Sequence, residues 1–310
     1  MKPVSRRRFL SSALGTTAGV SVCRSMFSPA FAHDAETPIV ATPLTEDLTL
    51  LSGAGANVVA FKGPEGALLV DGGLEKRSGD LISAALKATS ARRVTTLFNT
   101  HWHPEQTGSN AKLGGGGARI IAHENTKLWL TRKIAVDWRP GSYGPFDGKA
   151  LPTQTFYKTG SLGIAAETLD YGYMAQAHTD GDIYVFFRKA NVLHAGGVVS
   201  ADRWPVLDYQ TGGWIAGLVA GLDKLLELTD EKTKIVPANG PVLSKADLQA
   251  QRTMYFTIYD RLVKSLTKGL GPTEALAQQP AKEFNPQWGS SDAFIDMAFK
   301  SLWGHYAPDA

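Results

Sequence analysis

Cysteine is almost missing from this sequence, with Cys23 the only one among 310 residues. One cysteine excludes an intramolecular disulfide and any thiolate cluster that could hold a metal. The chain also lacks internal repeats, low-complexity tracts and any Lys/Arg block outside the N-terminus, so nothing favours a nucleic-acid partner. With 43% hydrophobic and 20% charged residues, it has the composition of a soluble globular protein rather than of a disordered chain.

The N-terminus has the organisation of an export signal. Residues 5–10 read Ser-Arg-Arg-Arg-Phe-Leu, and a mildly apolar run follows that is too short to anchor the chain in a membrane. Ala30-Phe31-Ala32 then supplies small residues at the two positions that a signal peptidase reads. This order closely resembles the bacterial twin-arginine signal. We therefore expect residues 1–32 to be cleaved after Ala32, and the twin-arginine machinery to deliver the mature protein to the periplasm; a basic helix that stays on the protein is the alternative.

The charge of the chain depends on that signal. Residues 1–32 hold five cations and no Asp or Glu, so cleavage would change the formal net charge from +3 to −2. Cys23 would leave with the signal. Any metal in the mature protein would then be held by histidine and carboxylate alone.

The remaining chain, residues 33–310, mixes short strands with amphipathic helices and is expected to form one layered α/β domain. Strand patterns lie at 47–51, 56–62, 67–70, 94–98, 119–122, 183–188, 191–194 and 234–236. Helical periodicity covers 76–90, 212–228, 244–268 and 291–303, which predicts a helical C-terminal extension from about residue 244. Residues 138–152 have the composition of a long, turn-rich aromatic loop.

The segment most informative about chemistry is a histidine-containing turn. His101 and His103 alternate just after the strand predicted at 94–98, so their imidazoles can point to one side. A third histidine, His178, lies in a distant Gly/Asp-rich turn, Ala177-His178-Thr179-Asp180-Gly181-Asp182. Neutral imidazole is a common zinc ligand, so the three histidines are candidate metal ligands.

Over nearly all of residues 45–245 the chain resembles the metallo-β-lactamase superfamily. The resemblance rests on motifs in the family's order: 70–73 (Val-Asp-Gly-Gly), 99–103 (Asn-Thr-His-Trp-His), 107–110 (Thr-Gly-Ser-Asn), 177–182 (Ala-His-Thr-Asp-Gly-Asp) and 235–241 (Ile-Val-Pro-Ala-Asn-Gly-Pro). It implies a four-layer αβ/βα sandwich, the metallo-β-lactamase fold, with a metal site along one edge of two sheets.

The chain departs from the family's usual pair of metal positions. His101, His103 and His178 fill the first position. In the second, the usual Asp-His pair is Glu105-Gln106, the bridging acid falls at Gly197 and the last histidine falls at Asn239. The resemblance therefore implies one metal held by three histidines, expected to be zinc, with Fe or Mn left open.

A tris-histidine zinc site leaves a position for water, whose pKa the metal lowers from about 15.7 toward about 7. We expect the resulting hydroxide to attack an ester, thioester or amide-like bond, with Glu105 as the catalytic residue that transfers the proton. The alternative for Glu105 is to orient a ligating histidine. Asp71 and Asp182 are expected to stabilise turns, and the alternative is that they contact metal ligands from behind. His194 is expected to cap a strand near the site without binding the metal.

The substrate is predicted only as a small molecule, and no stable membrane anchor is expected. The oligomeric state stays open. Arg139 could bind an anionic group, and aromatic residues could line a cleft or simply pack a lid; these are Trp102, Trp138, Tyr143, Phe146 and Trp204. The alternative to a hydrolase is a catalytically silent periplasmic binding or accessory protein on the same fold.

Overall fold

The structure is a computed structural model, and it describes residues 37–201 and 203–306. The predicted signal peptide, residues 1–32, lies outside the described residues. Within the described ranges, no helix is both long enough and apolar enough to cross a membrane.

The first sheet has seven strands, and its spatial order follows the chain. The strands are β1 (Val40–Pro43), β2 (Leu48–Ser52), β3 (Val58–Lys62), β4 (Ala67–Val70), β5 (Val94–Phe98), β6 (Arg119–His123) and β9 (Gln154–Phe156). The first four are paired antiparallel, as short turns allow, whereas β4, β5, β6 and β9 run parallel because longer segments connect them. The carboxyl ends of β4, β5 and β6 therefore lie at one edge of the sheet.

The second sheet has five strands, again in chain order. They are β10 (Thr159–Ile164), β11 (Glu167–Tyr173), β12 (Ile183–Phe187), β13 (Val192–His194) and β14 (Lys234–Val236). Only the pairing of β13 with β14 is parallel. A separate hairpin joins β7 (Ile134–Val136) to β8 (Arg139–Tyr143).

Nine helices complete the described part of the chain. They are α1 (Ser78–Thr89), α2 (Pro104–Thr107), α3 (Asn110–Gly115), α4 (Glu124–Leu130), α5 (Ile215–Leu228), α6 (Lys245–Thr267), α7 (Pro272–Ala277), α8 (Asn285–Trp288) and α9 (Asp292–Tyr306). The longest, α6, begins at a capping box in which Ser244 and Asp247 each accept from the other's backbone amide.

The two sheets pack face to face, and strand β12 explains how. All five of its residues are buried, and alternate side chains point to opposite faces. Ile183, Val185 and Phe187 face the first sheet, where the Phe187 ring lies 5.8 Å from that of Phe61. Tyr184 and Phe186 pack into the cluster formed with the C-terminal helices.

Helix α1 covers the outer face of the first sheet through Leu81 and Ala85, which pack with Leu69 and Leu97. On the far side, α5, α6 and α9 cover the second sheet. The layers are therefore helix, sheet, sheet and helix, which confirms the predicted αβ/βα sandwich.

The strands and helices that the sequence predicted are present within a few residues of the expected bounds. The structure adds the strands β1, β7, β9, β10 and β11, and it folds part of the expected loop 138–152 into β8. Three of the added strands lack a strong pattern: β1 is exposed throughout, β9 has three residues, and β10 is an edge strand with two glycines. Strand β8 contains Pro140 and Gly141, both typical of loops.

Candidate metal centre

The three predicted histidines meet at the edge of the sandwich. His101 and His103 follow β5, and His178 lies in the turn between β11 and β12. Their ring centroids are 4.6–4.8 Å apart in each pair, and one ligand atom from each lies within 4.8 Å of the others. All three are buried, with exposed fractions of 1%, 3% and 4%. In residues 37–201 and 203–306 no other group of three His, Cys, Asp or Glu residues converges in this way.

The strand end that carries His101 is fixed by a buried carboxylate. Asp71, just after β4, accepts hydrogen bonds from the Thr100 amide and from the Thr100 hydroxyl, each at 2.8 Å. The Thr100 oxygen lies 3.0 Å from His101 Nδ1. Because the Thr100 proton is directed to Asp71, that oxygen accepts from His101 Nδ1–H. The Nε2 atom of His101 is therefore left with a lone pair for a metal.

His103 uses its two ring nitrogens in the opposite way to His101. Its Nε2 atom lies 3.1 Å from Oδ2 of Asp208, a fully buried carboxylate 105 residues further along the chain. An ionised carboxylate only accepts hydrogen bonds, so Nε2 carries the proton. The Nδ1 atom of His103 is then the one available to a metal. Asp208 also accepts from the Thr211 hydroxyl at 2.6 Å.

His178 faces a third carboxylate. Its Nδ1 atom lies 3.4 Å from Oδ1 of Asp182, and both buried atoms lack a hydrogen bond. The other oxygen of Asp182 accepts from the Thr179 amide at 2.6 Å. A metal on the inner side of the ring would favour the Nδ1–H tautomer of His178, for which Asp182 is the acceptor in place. The residues present therefore fit a metal bound by three imidazoles.

Burial sets the protonation of this site. It lowers the pKa of His101 and His103 well below the usual value, so both rings are neutral, which is the form that binds metal. Burial also raises the pKa of Asp71 well above the usual value and raises that of Asp208, against the hydrogen bonds from Thr100 and Thr211. A divalent cation at the triad would stabilise the ionised form of these carboxylates.

Glu105 lies in α2, within one helical turn of His103. It is buried, and burial raises its pKa while the charges of Arg139 and His178 oppose the rise. No hydrogen bond between the described residues joins its carboxylate to the three histidines. The nitrogen of each ring that would point away from a metal already has a partner, Thr100 for His101 and Asp208 for His103. These two residues, and not Glu105, therefore make the contacts that orient the rings.

Three residues that fall at the family's second metal position, Gly197, Gln106 and Asn239, have no anionic side chain. Gly197 lies directly under the His178 ring: a Cβ atom added there would be 2.5 Å from Cε1 and 2.9 Å from Cγ of that ring. The Gln106 carbonyl holds the turn by accepting from the Gly72 amide and the Asn99 side chain. Asn239 is half-buried and accepts at its backbone oxygen from the Ala201 amide. None of the three supplies an anionic ligand atom.

The hairpin β7–β8 packs against the triad at His103. Trp138, at its tip, places its ring centroid 4.7 Å from that of His103. One side of the hairpin is held by Tyr143, whose hydroxyl is 2.8 Å from that of Thr107. The other side is held where the Asp137 amide donates to the Gln210 side chain at 2.7 Å. This cover contributes to the low exposure of His103.

The aromatic residues considered for a cleft fall into two groups. Trp102 is fully buried and packs with the hairpin, as do Trp138, Tyr143 and Phe146. Trp204 belongs to a different cluster, where it stacks on Phe294 of α9 with centroids 5.0 Å apart. Trp204 is therefore part of the packing of the C-terminal helices.

His194, which was not expected to bind the metal, is fully buried and accepts from the Gly196 amide at Nδ1. Its Nε2 atom lies 3.4 Å from the Asn57 carbonyl. The ring thus links the end of β13 to the loop before β3.

Sequence reasoning missed Asp208 and the contact between Gly197 and the His178 ring. The only local signal at Asp208 is the series Asp-Tyr-Gln-Thr-Gly at 208–212, which predicts a turn. In the structure Asp208 does begin a short 3₁₀ turn, at Tyr209–Thr211. Its role beside His103 depends on the pairing of distant segments, which such a local pattern does not encode.

Comparison with known proteins agrees with this geometry. The family model described as the metallo-β-lactamase superfamily matches residues 52–252. Metallo-β-lactamase IND-1 of Chryseobacterium indologenes is 24% identical over 229 residues, covering 71% of this chain and 88% of that protein.

Solved structures share the fold at low sequence identity. The metallo-β-lactamase from Pontibacter korlensis aligns with a TM-score of 0.58 and 17% identity, covering 70% of this chain and 98% of its own. A double mutant of the sec-alkyl sulfatase PisA1 aligns with a TM-score of 0.63 and 13% identity, covering 88% of this chain and 51% of its own. From the family match over more than half of its length, the chain belongs to the metallo-β-lactamase superfamily.

Proposed function

We propose that this protein is an exported hydrolase that uses one zinc ion bound by His101, His103 and His178. The observation that carries the proposal is the convergence of three buried imidazoles within 4.8 Å, each with its outer nitrogen facing a separate polar group. Structural histidines rarely need such an arrangement, whereas metal ligands are commonly oriented by a partner behind the ring.

The proposal of a single metal rests on the residues that lie beside the three histidines. Gly197 has no side chain, and the His178 ring occupies the space that an acid at this position would need. The neutral amides of Gln106 and Asn239 are weak ligands for zinc. Zinc, rather than Fe or Mn, is proposed because three imidazoles are typical of a catalytic zinc site.

The metal would supply Lewis acidity and activate water at neutral pH. The protein would position and protect it: Trp138 excludes solvent from one side, and buried carboxylates fix the rings. Glu105 is the proposed proton carrier, since it is buried two residues after His103 and burial raises its pKa. A raised pKa suits a group that must both accept and donate a proton near pH 7.

The proposed substrates contain an ester, thioester or amide-like bond. The matched relatives include β-lactamases and a sec-alkyl sulfatase, so lactams and alkyl sulfates join lactones, thioesters and phosphodiesters in a substrate panel. Turnover of at least one class by zinc-loaded protein, abolished in His103→Ala, is the expected result. No turnover of any class by fully loaded protein would refute the hydrolase proposal.

The second candidate is a catalytically silent periplasmic binding or accessory protein. The low exposure of the three histidines favours this candidate, because little of the site is open to a substrate. Metal-loaded protein that binds panel compounds in calorimetry without converting them would support it.

Export is proposed from the signal-like N-terminus alone. Expression of the full chain with its own N-terminus should give periplasmic protein that begins at His33. Replacing Arg6, Arg7 and Arg8 with Lys should retain it in the cytoplasm. Cytoplasmic protein that starts at Met1 in the unaltered chain would contradict the proposal.

A further inference from the structure

One loop, residues 208–213, contacts two of the three candidate ligands. The Asp208 amide donates to the carbonyl of His178 at 3.0 Å, while the Asp208 side chain reaches the ring of His103. These two histidines come from different sheets, since His103 follows β5 and His178 precedes β12. The loop therefore ties together ligands that the two halves of the sandwich supply separately.

The loop is fitted closely against the backbone of His178. A Cβ atom added at Gly213 would be 2.7 Å from the His178 carbonyl carbon, so only glycine allows this approach. The Asp180 amide donates to the Thr211 carbonyl at 2.9 Å, and the Gly213 amide donates to the Asp208 carbonyl at 2.9 Å. These bonds fix Asp208 relative to the turn that carries His178.

Hydrogen bonds from Thr211 orient the carboxylate of Asp208. Its Oδ2 atom accepts from the Thr211 hydroxyl at 2.6 Å, and that hydroxyl accepts from the Trp102 indole at 3.0 Å. The Thr211 amide donates to Oδ1 at 3.3 Å. Since Trp102 lies between His101 and His103 in the chain, the network returns to the histidine turn. Asp208 is thus held in one orientation with Oδ2 facing His103 Nε2.

We propose that Asp208 is a positioning residue that fixes His103 as an Nδ1 ligand and sets its distance from His178. The proposal rests on the proposed function, in that the triad must bind a metal. A buried anion behind the ring raises the basicity of the ligating nitrogen and selects its tautomer. Without it, His103 could rotate or expose the wrong nitrogen, and the metal would lose one of three ligands.

The test measures metal binding directly, in Asp208→Ala and Asp208→Asn, with Zn²⁺ or Co²⁺ alone as the probe. Zinc affinity is measured by competition with a chromophoric chelator, and ligand geometry by the absorption bands of bound Co²⁺. Asp208→Ala should bind zinc roughly 10–100-fold more weakly and change the Co²⁺ spectrum. Asp208→Asn keeps an oxygen that can accept from Nε2–H, so it should retain more affinity than Asp208→Ala.

The matched control is Asp223→Asn. Asp223 is also paired, at 2.7 Å to Arg252, but it joins α5 to α6 away from the histidines. This variant should bind zinc as the unaltered protein does. A purely structural role for Asp208 would lower the Tm of metal-free and metal-loaded protein equally, whereas a positioning role reduces the rise in Tm that zinc produces.

The outcomes separate this inference from the proposed function. If the unaltered protein binds no metal, the proposed function fails. If the unaltered protein binds zinc and both Asp208 variants bind it equally well with the same Co²⁺ spectrum, the positioning role is wrong. Should Asp208→Ala not fold, Asp208→Asn decides: a several-fold loss of affinity with a shifted Co²⁺ spectrum supports the role, and unchanged binding overturns it.

Discussion

Replacing Gly197 with alanine is the smallest change that should disturb the metal centre without removing a ligand. The added methyl carbon would lie 2.5 Å from Cε1 of His178, about 1 Å closer than ordinary van der Waals contact. The backbone at Gly197 does not have a positive φ, so any effect comes from this clash and not from backbone strain. The ring of His178 must move by about 1 Å or the loop beneath it must shift.

Such overpacking in a buried site typically costs about 1–3 kcal/mol. For a domain of this size it corresponds to a fall in Tm of very roughly 2–10 °C. Because the displaced ring is a proposed metal ligand, zinc affinity should fall by about tenfold or more. Chelator competition gives the affinity, and thermal unfolding of the metal-free protein gives the stability.

Gly163→Ala is the matched control. Among the described residues, no atom beyond Gly163 and its two chain neighbours lies within 4 Å of a Cβ added at Gly163, on edge strand β10. Both affinity and Tm should therefore be unchanged. If Gly197→Ala binds zinc with unaltered affinity and melts at the unaltered temperature, the packing of the His178 ring against Gly197 does not exist in solution.

Three further predictions concern the acid, the pH dependence and the cover. Glu105→Gln should lower turnover of any accepted substrate by roughly 10²–10⁴-fold with zinc retained, and full activity would refute proton transfer by Glu105. Burial lowers the pKa of His194 from 6.5 to about 4, so the unfolded state binds the proton first as the pH falls. His194 should therefore contribute a loss of up to about 3 kcal/mol to the stability of the metal-free protein between about pH 6.5 and pH 4. His194→Gln should reduce the slope of stability against pH in urea unfolding, and an equal slope would contradict the prediction. Trp138→Ala should speed zinc removal by a chelator several-fold, whereas the exposed Phe256→Ala should not, and equal rates would refute the role of the hairpin as a cover.

The fold could be predicted because the strong elements carry their own pattern. Strand β12 is apolar at every position, and α1, α5, α6 and α9 show helical periodicity over ten or more residues. Strand β12 lies at the centre of the second sheet, and the four helices form both helical layers. The order of the motifs then distinguished this sandwich from other α/β arrangements.

The weaker elements could not be predicted because neighbours stabilise them. Strand β8 contains Pro140 and Gly141, and it becomes a strand by pairing with β7 and by the bond from Tyr143 to Thr107. Strand β10 has alternating exposed and half-buried residues and depends on pairing with β11 along its whole length. Local propensity does not favour a strand at either place, so tertiary contacts determine that these strands form.

The candidate site also contains residues that could be predicted from the sequence and residues that could not. His101, His103 and His178 could be predicted because histidine is a common metal ligand and because these three lie in turns next to predicted strands. Asp208 could not, because 105 residues separate it from His103 and only the folded chain brings them to 3.1 Å. The sequence shows that residue 197 is a glycine, which has no side chain to bind a second metal. Only the structure shows that the His178 ring occupies the space that a side chain at this position would need.

The central claim is a single metal ion held by three histidines, and the metal content of purified mature protein tests it most directly. Elemental analysis after removal of loosely bound metal should give about one zinc per chain, and His101→Ala and His178→Ala should each lose it. Two tightly bound equivalents per chain, or one equivalent that survives both substitutions, would contradict the claim.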